Sequence, residues 1–205
     1  ALPISDDPVL FDLLEEYGPR LIETHFANFD ADEELIQVAD EVIYRALYSY
    51  MKHEGTNMFE TYQDRPHAYG HTWSPKFEPA VKLMHGHAVT IGMAFGATLA
   101  MEMGWLEKDD RDRIVALCSS LGLSVYHPIL EDSDLMIQGQ KNMRRKRGSS
   151  GLWAPLPTGI GSCSFAGEVP SDLLISAVEE HKNFCTSVPN EGKGEQMYLS
   201  DLGLE

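Results

Sequence analysis

A mainly α fold with at most a short β hairpin follows from three features of the chain. Apolar residues recur at helical spacing in most of it, and one stretch, 87–105, is almost continuously apolar. The two segments that read as extended, 152–156 and 161–165, are short, and Pro155, Pro157 and Gly159 bar a long central strand. With 205 residues, 43% of them hydrophobic, the chain is long enough for one substantial core.

The elements follow in order. Asp7 and Pro8 supply a cap and first turn for a helix whose Leu10, Leu13, Leu14 and Tyr17 share a face, and Gly18-Pro19 is expected to stop it. A second helix is expected from Asp30 to Asp32 onward, burying a broad stripe of Leu35, Val38, Val42, Leu47 and Met51 around Ala39, Ile43 and Ala46 until Gly55. Pro66 suits the residues after it to a loop. His87 to Trp105 reads as a buried helix in which Gly92, Gly96 and several alanines allow close contacts; packing has to offset the propensity the glycines lose. Asp109 or Asp110 starts the next helix, with Ile114, Val115, Leu117, Cys118 and Leu121 inward and Gly122 at its end. A short helix over 133–143 precedes the extended segments. Ser171 is expected to cap a last helix that turns Leu173, Leu174, Ala177 and Val178 inward. The expected division is a helical domain over 1–188 and a mobile or wrapping tail over 189–205.

Charge narrows the partners. A formal net charge of -16, from 32 acidic and 16 basic residues, repels polyanions, so nucleic acid is not an expected partner. The basic run Lys141 to Arg147 is the exception: a solvated helix face or the wall of a small phosphate site. The most apolar region is interrupted by His, Gly, Thr and Glu, and no membrane association is expected. Cys118, Cys163 and Cys185 are too sparse for a disulfide scaffold, which suits a reducing, cytoplasmic location. The sequence opens Ala1-Leu2-Pro3 without an initiating methionine, as expected of a processed product, an excised domain or one half of a cleaved enzyme.

The chemistry concentrates in Gly70-His71-Thr72-Trp73-Ser74-Pro75 and Met84-His85-Gly86-His87-Ala88. His71 and His85 are candidate ligands for zinc or cobalt, with His87 or Glu78 as possible additions. Two imidazoles leave a catalytic tetrahedral site short of its usual third protein ligand. In a helix His85 and His87 would point about 200° apart, whereas a turn would bring both inward; the sequence leaves both open. No Gly-rich phosphate loop follows an amino-terminal strand, so the chain carries no dinucleotide-binding signature of its own. Ser162-Cys163-Ser164 does not form a nucleophile elbow.

Together with the small-residue helix Ile91 to Ala100, the Ser120-Leu121-Gly122-Leu123 turn and Leu156-Pro157-Thr158-Gly159-Ile160-Gly161, these segments resemble the carboxy-terminal domain of dehydroquinate synthase-like sugar phosphate cyclases. Trp73-Ser74-Pro75 and His85-Gly86-His87 are most similar to the branch that uses sedoheptulose 7-phosphate, which includes 2-epi-5-epi-valiolone and demethyl-4-deoxygadusol synthases. The resemblance implies a helical metal- and substrate-binding domain that follows a separate NAD-binding half. It places two metal ligands, and hence the catalytic centre, on His71 and His85. The family's third ligand is a glutamate in an Ala-Glu-x-x-Lys segment just upstream of the part that resembles Ala1 onward, so these 205 residues alone are expected to turn over little or no substrate.

Ordinary dehydroquinate synthases have arginine where this chain has Asp64 and histidine where it has Pro75; Asp64 is therefore expected to bind sugar hydroxyls. His87, where ordinary members have glutamate, is expected to hydrogen-bond around the metal or substrate. Lys52, Lys146 and Arg147 are candidates for the phosphate. The implied reaction oxidises a substrate alcohol with bound NAD, eliminates phosphate, then reduces and closes the ring to a cyclitol. The expected partners are the amino-terminal NAD-binding half or a second protomer, and a sugar phosphate. The alternative is a noncatalytic metal-binding or interaction domain derived from such an enzyme.

Overall fold

Fourteen consecutive residues, His87 to Ala100, are buried around the full circumference of one helix, so that helix must lie at the centre with neighbours on every side. The computed structural model describes residues 1–59, 61–146 and 151–204. Before the central helix come α1 (Leu2–Ser5), α2 (Pro8–Glu23), α3 (Glu33–Glu54) and α4 (Ser74–Val81). The central helix itself is α5 (His85–Glu102), followed by α6 (Lys108–Ser120) and α7 (Ser133–Lys146). A hairpin of β1 (Ala154–Gly159) and β2 (Ser162–Ala166) leads to α8 (Ser171–Cys185) and a tail with two short 3-10 turns. Helices α4, α6 and α8 and strand β1 pack against α5. This is the mainly helical architecture with one open hairpin that the sequence predicts.

Local sequence sets most of the boundaries. The Asp7 carboxylate accepts from the Leu10 N–H at 3.0 Å and the Asp32 carboxylate from the Leu35 N–H at 2.8 Å, starting α2 and α3. Three expectations need correction. Gly18-Pro19 does not stop α2, which runs on to Glu23, because Leu21 beyond the proline is fully buried against Leu35, Ala39 and Val42 of α3. Packing of that kind offsets the one backbone hydrogen bond a helical proline gives up. The buried stripe of α3 is narrower than expected: it runs through Leu35, Ala39, Val42 and Ser49, whereas Ile43, Leu47 and Met51 are 47, 60 and 56% exposed because helical spacing turns them onto another face. Ser171 is the first residue of α8, not its cap; Pro170 holds the cap position without a side-chain hydrogen bond.

The loop between α3 and α4 is pinned to α5 through backbone. Gly70, at φ +88°, lies so close to α5 that an added Cβ would stand 2.6 Å from the Val89 carbonyl oxygen, and a Cβ on Gly92 would overlap the Gly70 carbonyl. Beside this contact the Tyr69 hydroxyl donates to the Met93 carbonyl, and Trp73 meets Phe95 edge to face at 5.3 Å. At the far end of α5, His181 of α8 is completely buried between the Thr98 hydroxyl (2.8 Å) and the Val125 carbonyl (2.9 Å). Burial pushes its pKa down to about 4.

Two stability measurements check this account. Gly92→Ala is expected to lose about 2–3 kcal/mol to overpacking, read as a lower urea midpoint, whereas Gly86→Ala, where a Cβ meets nothing within 4 Å, is expected to be neutral or slightly stabilising. For His181, folded and unfolded states both hold the ring neutral above about pH 6.5. As pH falls from there toward about 4 only the unfolded chain takes up the proton, so stability falls with it. The drop in Tm between pH 7.5 and pH 5 should therefore be smaller in His181→Gln than in the parent; equal drops would assign the acid sensitivity elsewhere.

Candidate metal and phosphate site

The Gly70–Gly92 contact carries His71 to the beginning of α5, where His85 is the first helical residue. The two imidazoles lie with ring centroids 5.4 Å apart, tilted by 52°. His71 Nδ1 is 3.3 Å from the Tyr69 carbonyl, and His85 Nδ1 is 3.0 Å from Glu78 Oε2 on α4. A neutral ring whose Nδ1 faces an acceptor carries its proton there and leaves the Nε2 lone pair bare. Both rings are thus set as donors through Nε2, each oriented by an outer acceptor as metal-binding histidines usually are. Burial lowers the pKa of the half-buried His71 and favours its neutral form; the Tyr69 carbonyl opposes this, and His85 adds to the lowering. Glu78 takes the outer position, its carboxylate bonded to the His85 ring.

The other expected residues lie in varied settings. His87 is buried, and its Nδ1 accepts the Ser124 N–H at 3.2 Å while the Ser124 hydroxyl, 2.9 Å away, donates to the Lys193 carbonyl. His87 therefore carries its proton on Nε2, a donor rather than a ligand nitrogen. Asp64 is exposed on the segment before the Pro66–Ala68 turn and makes no hydrogen bond or ion pair with either histidine of the pair. Lys52 is engaged by Asp6 at 2.8 Å, and His53 bonds the same carboxylate. Arg147 and the side chain of Lys146 lie outside the described residues.

Of a pair of cations on neighbouring helices, Arg145 belongs to the basic run named as a possible phosphate wall, and Lys76 is absent from the sequence-based candidates. A cavity of about 310 Å³ between α4 and α7 is lined by Thr72, Pro75, Lys76, Asn142, Met143 and Arg145, with Gly139 at its floor. Among the described residues neither Lys76 nor Arg145 has an ion-pair partner. Asn142 and Arg145 stand three apart on α7 and so share a face. That spacing was readable in the basic run, but the lysine that faces it from α4 was not. Thr72, the residue after His71, is among those that line the cavity.

The comparisons place the chain in a family. A family model described as the 3-dehydroquinate synthase C-terminal matches residues 4–142, so the chain belongs to that family of NAD-dependent sugar phosphate cyclases. Within it the chain sits in the branch of the 2-epi-5-epi-valiolone and demethyl-4-deoxygadusol synthases. The demethyl-4-deoxygadusol synthase of Trichormus variabilis is 41% identical over 191 residues, covering 92% of this chain and 46% of that protein. A 2-epi-5-epi-valiolone synthase of Actinoplanes sp. is 35% identical over 186 residues, 88% of this chain and 45% of that protein. The solved 2-epi-5-epi-valiolone synthase of Streptomyces hygroscopicus subsp. jinggangensis, described with NAD+ and Zn2+ bound, superposes with a TM-score of 0.81 at 29% identity, covering 89% of this chain and 49% of that one. The chain spans about half the length of the curated relatives it matches.

Proposed function

We propose that this chain is the metal- and substrate-binding domain of a cyclase that converts sedoheptulose 7-phosphate to a cyclitol with phosphate elimination. The observation that carries the reading is the pair His71 and His85, each with Nδ1 tied to an acceptor and Nε2 left as a lone-pair donor. Two neutral imidazoles of this kind fit zinc or cobalt. Such an ion, with NAD held by a nucleotide-binding half, would supply charge stabilisation and transient hydride acceptance when bound. His71 and His85 hold the ion; His87 offers its Nε2–H to an oxygen of the bound sugar; Asp64 accepts from sugar hydroxyls. Lys76, Asn142 and Arg145 receive the phosphate, with Lys146 and Arg147 in the same basic run.

Among the described residues no group of three His, Cys, Asp or Glu is placed to hold a metal. A third ligand, in this reading, comes from a segment outside these residues. In support, Ala1 and His71 line one cavity of about 490 Å³, so a segment joined to Ala1 would lie beside His71. The partner is a nucleotide-binding half or a second protomer, and the exposed Ile43, Tyr44, Leu47 and Tyr48 of α3 give it an apolar surface to cover. A cytoplasmic setting belongs to the same proposal.

Metal stoichiometry by plasma mass spectrometry tests the ligands: His71→Ala and His85→Ala should each lose zinc that the parent holds, and equal specific binding in both variants would remove them as ligands. With a protein that carries both halves, phosphate release and product NMR test the reaction. Lys76→Ala or Arg145→Ala should raise KM for sedoheptulose 7-phosphate about tenfold, the loss of one charge-assisted contact. Use of the acidic heptulosonate phosphate alone would overturn the substrate assignment. Robust turnover by the 205 residues alone would overturn dependence on a second half, and metal binding without turnover in the two-half protein would favour a noncatalytic domain.

A further inference from the structure

The start of α5 has little local reason to be where it is. Met84 holds the cap position without a side-chain hydrogen bond, the first turn has no acidic residue, and Gly86 follows. Helix starts of this composition are weakly fixed by their own sequence. What fixes this one comes from the other end of the chain. The Met84 N–H donates to the Met197 carbonyl at 2.8 Å and the Leu199 N–H donates to the Lys82 carbonyl at 2.9 Å, with Leu83 bridged antiparallel to Tyr198 between them.

Residues 82–84 join Glu78 on α4 to His85 on α5, so a segment that holds this junction also holds the Glu78–His85 hydrogen bond. That bond needs holding: the side chains are 28 and 64% exposed, and an exposed pair by itself keeps little fixed geometry. The same tail reaches the second histidine of the motif. The Lys193 carbonyl accepts from the Ser124 hydroxyl, whose backbone N–H binds His87, and the Glu195 N–H donates to the Gly122 carbonyl. Leu199 also lines a cavity together with Glu78, Lys82, Met84 and His85.

We propose that residues 193–199 are a positioning strap that sets His85 for metal binding, a role that rests on the metal reading above. The strap lies beyond the 4–142 stretch matched by the family model. Its positioning residues act through backbone: Met197 and Lys82 as acceptors, Leu199 and Met84 as donors.

Proline removes one donor at a time with little other disturbance. Met84 already has φ -58°, and Leu199 is the first residue of a 3-10 turn, both positions that accept proline. In the metal-free chain, long-range proton–nitrogen NMR of the imidazoles should show His85 as a single tautomer with its proton on Nδ1. Met84→Pro and Leu199→Pro should shift it to the tautomer mixture of a free imidazole while the buried His181 stays unchanged. Zinc affinity should fall about tenfold in both, as for loss of an outer partner. An unchanged His85 spectrum in both folded variants would overturn the strap. Should the variants unfold, hydrogen exchange of the parent decides: protected Met84 and Leu199 amides support it, and exchange at exposed-loop rates overturns it. A displaced His85 in the variants, with no zinc taken up by a protein that carries both halves, would remove the metal reading and leave the strap standing.

Discussion

Backbone against backbone at Gly70 and Gly92 is the contact on which the site depends. The loop after the Pro66–Ala68 turn is pressed onto the buried central helix at a place where neither segment has a side chain to keep them apart. Tyr69 and Trp73 then lock the loop on either side of the contact, through the Met93 carbonyl and the Phe95 ring. His71 is one residue beyond Gly70, so its position inherits the rigidity of the core rather than the freedom of a loop. Close-packed interiors transmit such constraints because they deform little.

The fold was legible where one physical signal dominated. The unbroken apolar run of α5 required neighbours on all sides, and Asp32 and Gly55 bracketed α3 by capping alone. It was illegible where tertiary packing decided. Leu47 and Met51 are apolar, yet nothing in their spacing shows whether a neighbour covers their face, and both stay exposed. Pro19 argues for a helix end unless the burial of Leu21 is known, and α4, with Pro75 and Pro79 in eight residues, looks like loop until its Phe77 is seen in the core.

The same division holds at the site. His71 and His85 stood out because the histidines cluster, but what sets their protons did not. The Tyr69 carbonyl is a backbone group that no residue type advertises, and Ser124 reaches His87 from 37 residues away. Arg145 stood in a basic run that suggested a phosphate site, but Lys76 is an ordinary cation in the sequence; only the packing of α4 against α7 makes the two line one cavity.

The hairpin of β1 and β2 is a two-stranded ribbon, and such ribbons have open edges that invite other chains. Here β1 pairs with β2 through Ala154, Leu156 and their neighbours, while Pro155 and Pro157 occupy the alternate positions. A proline has no N–H to offer, so the outward edge of β1 lacks donors at two successive sites where an added strand would need them. The residues that bar a long central strand also keep β1 from pairing on its outward side: that edge is closed to sheet extension by omission of hydrogen-bond donors.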